Sequence, residues 1–414
     1  MPERLRITGC RLITPFQDLP EGELLLEDDR IVFAGARDGG GSGRSPHEAV
    51  LEAGGRLAVP GLIDLHLQGA GGSDVLDGTP EAMRTIARSC ARHGVTGFLA
   101  TTVFRPGGDN RHLPVAAAAC RPAGARTAGA CRPSGGGPPG GRPEGGAEEG
   151  ADVLGLHLEG PFIAPEKRGM IQPDCIGPVR EETLTELLRL CGGALRMLTI
   201  APELPGALDL IRRLSTQGIV TSFGHSAADY VQTTAGLKAG IRHATHLFNA
   251  MSPLHHREPG PLPALLDGRG VTLQIIPDGV HLHPAILRLL ASLVGPERVV
   301  LITDGLQAMG LEDGDYTYNR QPIVVNGGTA RSRDGTLVGT TLGMNRLVQR
   351  YQGFAGCPLA QAVRAASFNP ACVLGLQKRT GSLESGKSAD LALLNPDFTV
   401  WKTWKRGRLI HERA

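Results

Sequence analysis

The sequence predicts a (β/α)8 TIM-type barrel joined to a small β-sandwich module built from both ends of the chain. Three observations lead there. The middle of the chain alternates short apolar runs with helical patterns, as βα units in a parallel sheet require. Both ends instead carry short strands broken by turn residues. Chemically loaded side chains recur just past the central apolar runs, which is where a barrel of this kind keeps its active site.

Taken in order, L-R-I, R-L-I, E-L-L-L-E and R-I-V-F-A-G over residues 5–35 read as strands of a small antiparallel sheet, with Asp28-Asp29 in a turn. A Gly/Ser-rich gap at 38–45 follows. Barrel strands are expected at Leu62–His66, Val95–Thr101, Val153–Leu158, Arg196–Ala201, Ile219–Phe223, His243–His246, Val271–Ile276 and Val299–Thr303. Thr79 should cap a helix over Pro80–His93, with Pro80 at its first position and Gly94 just past its end. Further helices read at 181–191, 205–217, 227–239 and 284–292. Near the C-terminus A-D-L-A-L-L, F-T-V-W and R-L-I return to short strands. The expected division is therefore 1–58 with 377–414 for the sandwich and 59–376 for the barrel. Residues 105–150 break the alternation. Rich in Gly and Pro, including S-G-G-G-P-P-G-G-R-P-E-G-G, the segment cannot hold a long helix. It is expected to be an exposed, poorly ordered excursion, apart from a short helix near Pro114–Cys120.

Composition narrows the function. A net charge of +2 with 20% charged residues gives no basic excess, which argues against nucleic acid or an anionic membrane as partner. The expected partner is a small molecule. The eight cysteines lie far apart without a C-x-x-C pair, favouring a reducing cytoplasm over a disulfide scaffold. Neither an apolar leader nor an apolar run long enough to span a membrane is present.

The chemistry concentrates at strand ends. The stretch Ile241–Gly260 alone packs His243, His246, Asn249, His255, His256, Arg257 and Glu258 together, and residue type leaves metal, amide and phosphate roles open there. Beyond it, strand one ends in Asp64, His66 and Gln68, strand three in Glu159, strand five in His225, strand seven in Asp278 and His281, and strand eight in Asp304. Each alone is an ordinary loop residue; their fall on one rim is not. Glu159, His225 and His246 form the carboxylate and two imidazoles of a catalytic metal site that keeps a position open for water. Asp304 can take a proton from such a water and pass it to a leaving group.

L-H-L-E-G-P-F (156–162), G-H-S (224–226), T-H-L-F-N-A-M (245–251), H-R-E-P-G (256–260), I-P-D-G-V-H (276–281) and I-T-D-G (302–305) resemble the signature series of the N-acetylglucosamine-6-phosphate deacetylases, amidohydrolase-superfamily enzymes. P-G-L-I-D-L-H (60–66) and G-S-L-E-S-G-K-S-A-D-L (381–391) are shared more widely in the superfamily. The resemblance implies that Glu159, His225 and His246 hold the metal, that Asp304 is the catalytic carboxylate, and that His281 contacts the sugar and its N-acetyl group. It implies phosphate contacts from Asn249 and Ala250. It also implies that Arg257 reaches the substrate of a neighbouring subunit, hence a homodimer with a shared active site.

Two departures qualify the expectation. Where His-x-His would help to hold a second metal, this chain has His66-Leu67-Gln68, and an amide is a poor zinc ligand. One divalent metal per subunit, zinc, is expected, with His66 either a weak ligand or a hydrogen-bonder. Where K-R-G-x-H would place a carbonyl-polarising histidine, this chain has Ile171. Gln172 could serve if the loop shifts by one residue. The predicted function is cytoplasmic hydrolysis of N-acetylglucosamine 6-phosphate to glucosamine 6-phosphate and acetate. The alternatives are action on another acylated amino sugar or a cyclic amide, and a non-catalytic barrel used as a binding module.

Overall fold

The computed structural model describes residues 4–36, 48–120 and 150–413. Eight parallel strands form the central sheet in chain order: Leu62–Leu67, Val95–Thr102, Asp152–Glu159, Leu195–Ile200, Val220–Phe223, His243–Ala244, Thr272–Ile275 and Val299–Leu301. The sheet closes where strand eight meets strand one. Asp304 N donates to His66 O at 2.9 Å, and Leu67 bridges to Gly305. Strands six and eight stop short of the apolar runs that announced them. The reason is local: His246 (φ 27°) and Asp304 (φ 48°) lie in the left-handed region, which ends the ladder and turns both side chains onto the rim.

Helices Pro80–Arg92, Glu181–Cys191, Ala207–Thr216, Tyr230–Ala239 and Pro284–Leu293 pack outside the strands as expected. Thr79 Oγ1 accepts from Ala82 N, making the anticipated N-cap. Beneath the rim the barrel carries a hydrogen-bonded chain of polar groups. It runs from Thr101 to His157 (3.2 Å), Thr199 (2.8 Å), Thr245 (2.8 Å) and Ser222 (2.6 Å), so these buried groups are satisfied without solvent.

Two features go beyond the sequence reading. After strand eight, Gly314–Tyr318, Gln321–Asn326, Thr329–Ser332 and Leu337–Thr340 make an antiparallel meander packed on its own core of Leu306, Ile323, Val325 and Ala330. Residues 105–120 are also better ordered than expected. Asn110 bonds both the N–H and the C=O of Arg105 at 2.8 Å, and the helix His112–Ala119 buries His112, Leu113 and Ala116. These contacts hold the start of the Gly/Pro-rich segment, whereas residues 121–149, on which the expectation of disorder mainly fell, lie outside the described residues.

The two chain ends meet as predicted. Leu57–Pro60 pairs antiparallel with Leu391–Leu394, within one eight-stranded mixed sheet. Ile7, Leu12, Leu24, Leu391, Leu393 and Trp404 share its apolar core. Among the described residues no helix is long and apolar enough to cross a membrane, and the seven described cysteines are free.

Candidate active site

Glu159, at the end of strand three, places Oε1 2.9 Å from His225 Nε2 and 3.0 Å from His246 Nε2, and the two nitrogens lie 3.0 Å apart. All three residues are buried. His225 Nδ1 lies 2.7 Å from the carbonyl of Lys167. A carbonyl can only accept, so Nδ1 carries a proton, which leaves Nε2 as the atom that would give its lone pair to a cation. A carboxylate and two imidazole nitrogens aimed at one point suit a divalent cation, and among the described residues this is the one such group.

The remaining polar groups surround this trio. His66 Nε2 lies 3.1 Å from Asp304 Oδ1 and 3.5 Å from Glu159 Oε1. Gln68 Nε2 donates to Glu159 Oε2 (3.3 Å) and to Asp304 Oδ1 (3.2 Å). His281 is held from behind: its Nδ1 donates to Asp278 Oδ2 at 2.6 Å, while its backbone N–H donates to Asp278 Oδ1 at 2.8 Å. Electrostatics follows the geometry. Burial alone would raise the Glu159 carboxyl, but the facing imidazoles of His66 and His225 hold it well below the usual range. Burial would depress His66, yet Asp304 and Glu159 raise it to about 9. His246 is lowered, chiefly by burial.

These groups open into a cavity of about 320 Å³. Glu159, His225, His246, Asn249, Ala250, His281, Asp304 and Gln68 all line it, so most of the residues given a role in the sequence converge. Asn249 Nδ2 is tied to the carbonyls of His246 and Leu247 at 3.3 Å, which fixes the loop that follows strand six. Three of the residues given a role in the sequence do not line the cavity. Arg257 sits in an exposed loop. His66 is fully buried beneath the wall. Gln172 is displaced because its carbonyl starts the turn Pro173–Cys175 (Cys175 N to Gln172 O, 2.9 Å); Ile171 and Met170 take the wall instead. The one-residue shift considered for Gln172 is therefore not made.

Sequence reasoning missed several wall residues. Lys167 lines the cavity, with Nζ 3.3 Å from the carbonyl of Met251, one residue beyond Ala250. Tyr318, Thr336, Leu337 and Val338 reach it from the meander. The turn pairs Asn326-Gly327 and Asp334-Gly335 were the available signal for that element.

Parallel barrel, rim-mounted carboxylate–imidazole trio and unligated aspartate together define a hydrolase of the amidohydrolase type. Comparison with known proteins agrees, because the amidohydrolase family profile matches residues 146–410. A *Bacillus subtilis* (strain 168) N-acetylglucosamine-6-phosphate deacetylase is 32% identical over 410 residues, 99% of this chain and 98% of the relative. An *Escherichia coli* O157:H7 N-acetylgalactosamine-6-phosphate deacetylase is 37% identical over 87% of this chain and 89% of its own. The *Mycobacterium smegmatis* N-acetyl-D-glucosamine-6-phosphate deacetylase, solved as a mutant in complex with N-acetyl-D-glucosamine-6-phosphate, superposes with a TM-score of 0.84. It is 33% identical, over 99% of both chains. The chain belongs to the amidohydrolase family, in the branch of the N-acetylglucosamine-6-phosphate deacetylases.

Proposed function

We propose that this chain removes the acetyl group from N-acetylglucosamine 6-phosphate, giving glucosamine 6-phosphate and acetate. The observation that carries the reading is the meeting of Asp304 with the Glu159–His225–His246 trio in one cavity, beside the Asn249–Ala250 loop. We assign one divalent cation per subunit, zinc, to the trio; when bound, it polarises the amide carbonyl and acidifies water. Asp304 takes the proton of the attacking water and returns it to the departing amine. His281, with Nδ1 engaged by Asp278, offers Nε2 toward the acetyl group and sugar. Asn249 and Ala250 bind the phosphate. Arg257, exposed on its loop, grips the phosphate of a neighbouring subunit's substrate, since guanidinium binds phosphate bidentately, so the working unit is a homodimer. Residues 1–58 with 377–414 form its sandwich module and 59–376 its barrel. The free cysteines support a cytoplasmic enzyme.

A second reading is favoured by the 37% identity to the N-acetylgalactosamine-6-phosphate deacetylase: the same chemistry on the 4-epimer. The test is a deacetylation assay on both phosphosugars and on plain N-acetylglucosamine, with and without chelator. Turnover highest on N-acetylglucosamine 6-phosphate and abolished by chelator is expected. Preference for the plain sugar would overturn the phosphate assignment.

A further inference from the structure

The trio, Asp304 and His281 leave one cavity side chain with two well-placed contacts and no role. Gln68 is 5% exposed, and its backbone is pinned on both sides. Its N–H donates to Gly305 O at 2.8 Å, and its carbonyl accepts from Val75 N at 2.9 Å. The side chain is therefore delivered from a fixed point on the seam between strands one and eight. Both partners of its amide, Glu159 Oε2 and Asp304 Oδ1, are acceptor-only when ionised. This chemistry identifies the NH2 end as the one facing them, with one hydrogen for each.

Resting on the deacetylase reading, we propose that Gln68 is a positioning residue that ties Glu159 to Asp304. Glu159 spends Oε1 on the point it shares with the two histidines, and the terminal torsion of a glutamate is broad. A donor on Oε2 keeps the carboxylate from rotating away. Asp304 Oδ1 accepts from Gln68 and has His66 Nε2 beside it at 3.1 Å, so Oδ2 is the oxygen left to accept the proton of the attacking water. A neutral amide suits this place because it steadies two negative groups without neutralising either. A cationic side chain there would compete with the metal.

The test compares Gln68→Met, which keeps length and loses the donors, with Gln68→Glu, isosteric and also without donors when ionised. Zinc-loaded wild type and variants are assayed for kcat and KM on N-acetylglucosamine 6-phosphate, and for zinc release to a chromophoric chelator. A hydrogen bond to a charged group is worth enough to change a rate by about 10- to 100-fold. Both variants are therefore expected to lose kcat by about that factor with KM within about twofold. Gln68→Met should also release zinc at roughly tenfold lower chelator. Wild-type kcat in either folded variant, or a fall in kcat matched by a rise in KM, overturns the proposal. Unchanged zinc release in both variants overturns the tie to Glu159. Should the wild type not act on this sugar, the functional reading fails while the zinc release measurement still tests Gln68.

Discussion

Replacing Asp304 by asparagine separates proton transfer from everything else the site does. The substitution conserves shape, and asparagine tolerates the left-handed backbone that Asp304 adopts (φ 48°) better than alanine would. The backbone bond to His66 O is untouched, and Asp304 is not among the three atoms that converge on the metal position. What disappears is the carboxylate that faces Gln68 and His66 in that cavity. General acid–base catalysis contributes about 10²- to 10⁴-fold, or about 3 to 5 kcal/mol of barrier at 1.36 kcal/mol per decade. Steady-state assays of Asp304→Asn should show kcat lower by that factor, KM within about threefold and metal content unchanged. A variant within tenfold of wild-type kcat, or one that loses its metal, would refute the assigned role.

Other outcomes follow from the same geometry. His246→Ala should lose the bound metal along with activity, by elemental analysis; retention of one equivalent would remove His246 from the ligand set. Arg257→Ala and Lys167→Met should each raise KM for the phosphorylated sugar about tenfold while leaving kinetics on the plain sugar unchanged. A charge-assisted contact to phosphate is of that order, and equal effects on both sugars would argue against phosphate contact. Asp278→Asn should lower kcat about 10- to 100-fold, since the bonds that orient His281 are weakened, with melting temperature as the control for folding. His112, buried with Nε2 donating to Val103 O, is lowered by burial to about 4 from 6.5. Between those values the unfolded chain binds the extra proton, so stability is complete above pH 6.5 and is lost as pH falls toward 4. The loss is about 3 kcal/mol at most, and urea midpoints across this window should fall less in His112→Gln.

Much of this is legible in the sequence because barrel geometry converts a linear rule into a spatial one. Polar residues placed just after apolar runs become neighbours on a rim, so Glu159, His225, His246 and Asp304 could be grouped although no compact spacing links them. The helix at Pro80–Arg92 was equally plain, since its cap and its proline are local signals. What escaped depends on contacts distant in sequence. Lys167 gained meaning only when its carbonyl met His225 and its ammonium met Met251. The antiparallel meander at 314–340 was overlooked because its strands are short and half polar. Gln172, which could serve only if its loop shifted, stays out of the wall because the prolyl turn after it fixes which residue faces inward, and one residue's difference exchanges an amide for Ile171.

The seam between strands one and eight has a consequence for how this enzyme can fail. Glu159, His225 and His246 rise from strands three, five and six, on the continuous part of the sheet. Asp304, His66 and Gln68 straddle the line where the barrel is sewn shut. On the proposed roles, an injury that parts that line would carry Asp304 away from the trio and release the Gln68 tie to Glu159 with it. On those roles, a parted seam abolishes proton transfer outright but only loosens the metal, so turnover falls before metal content does.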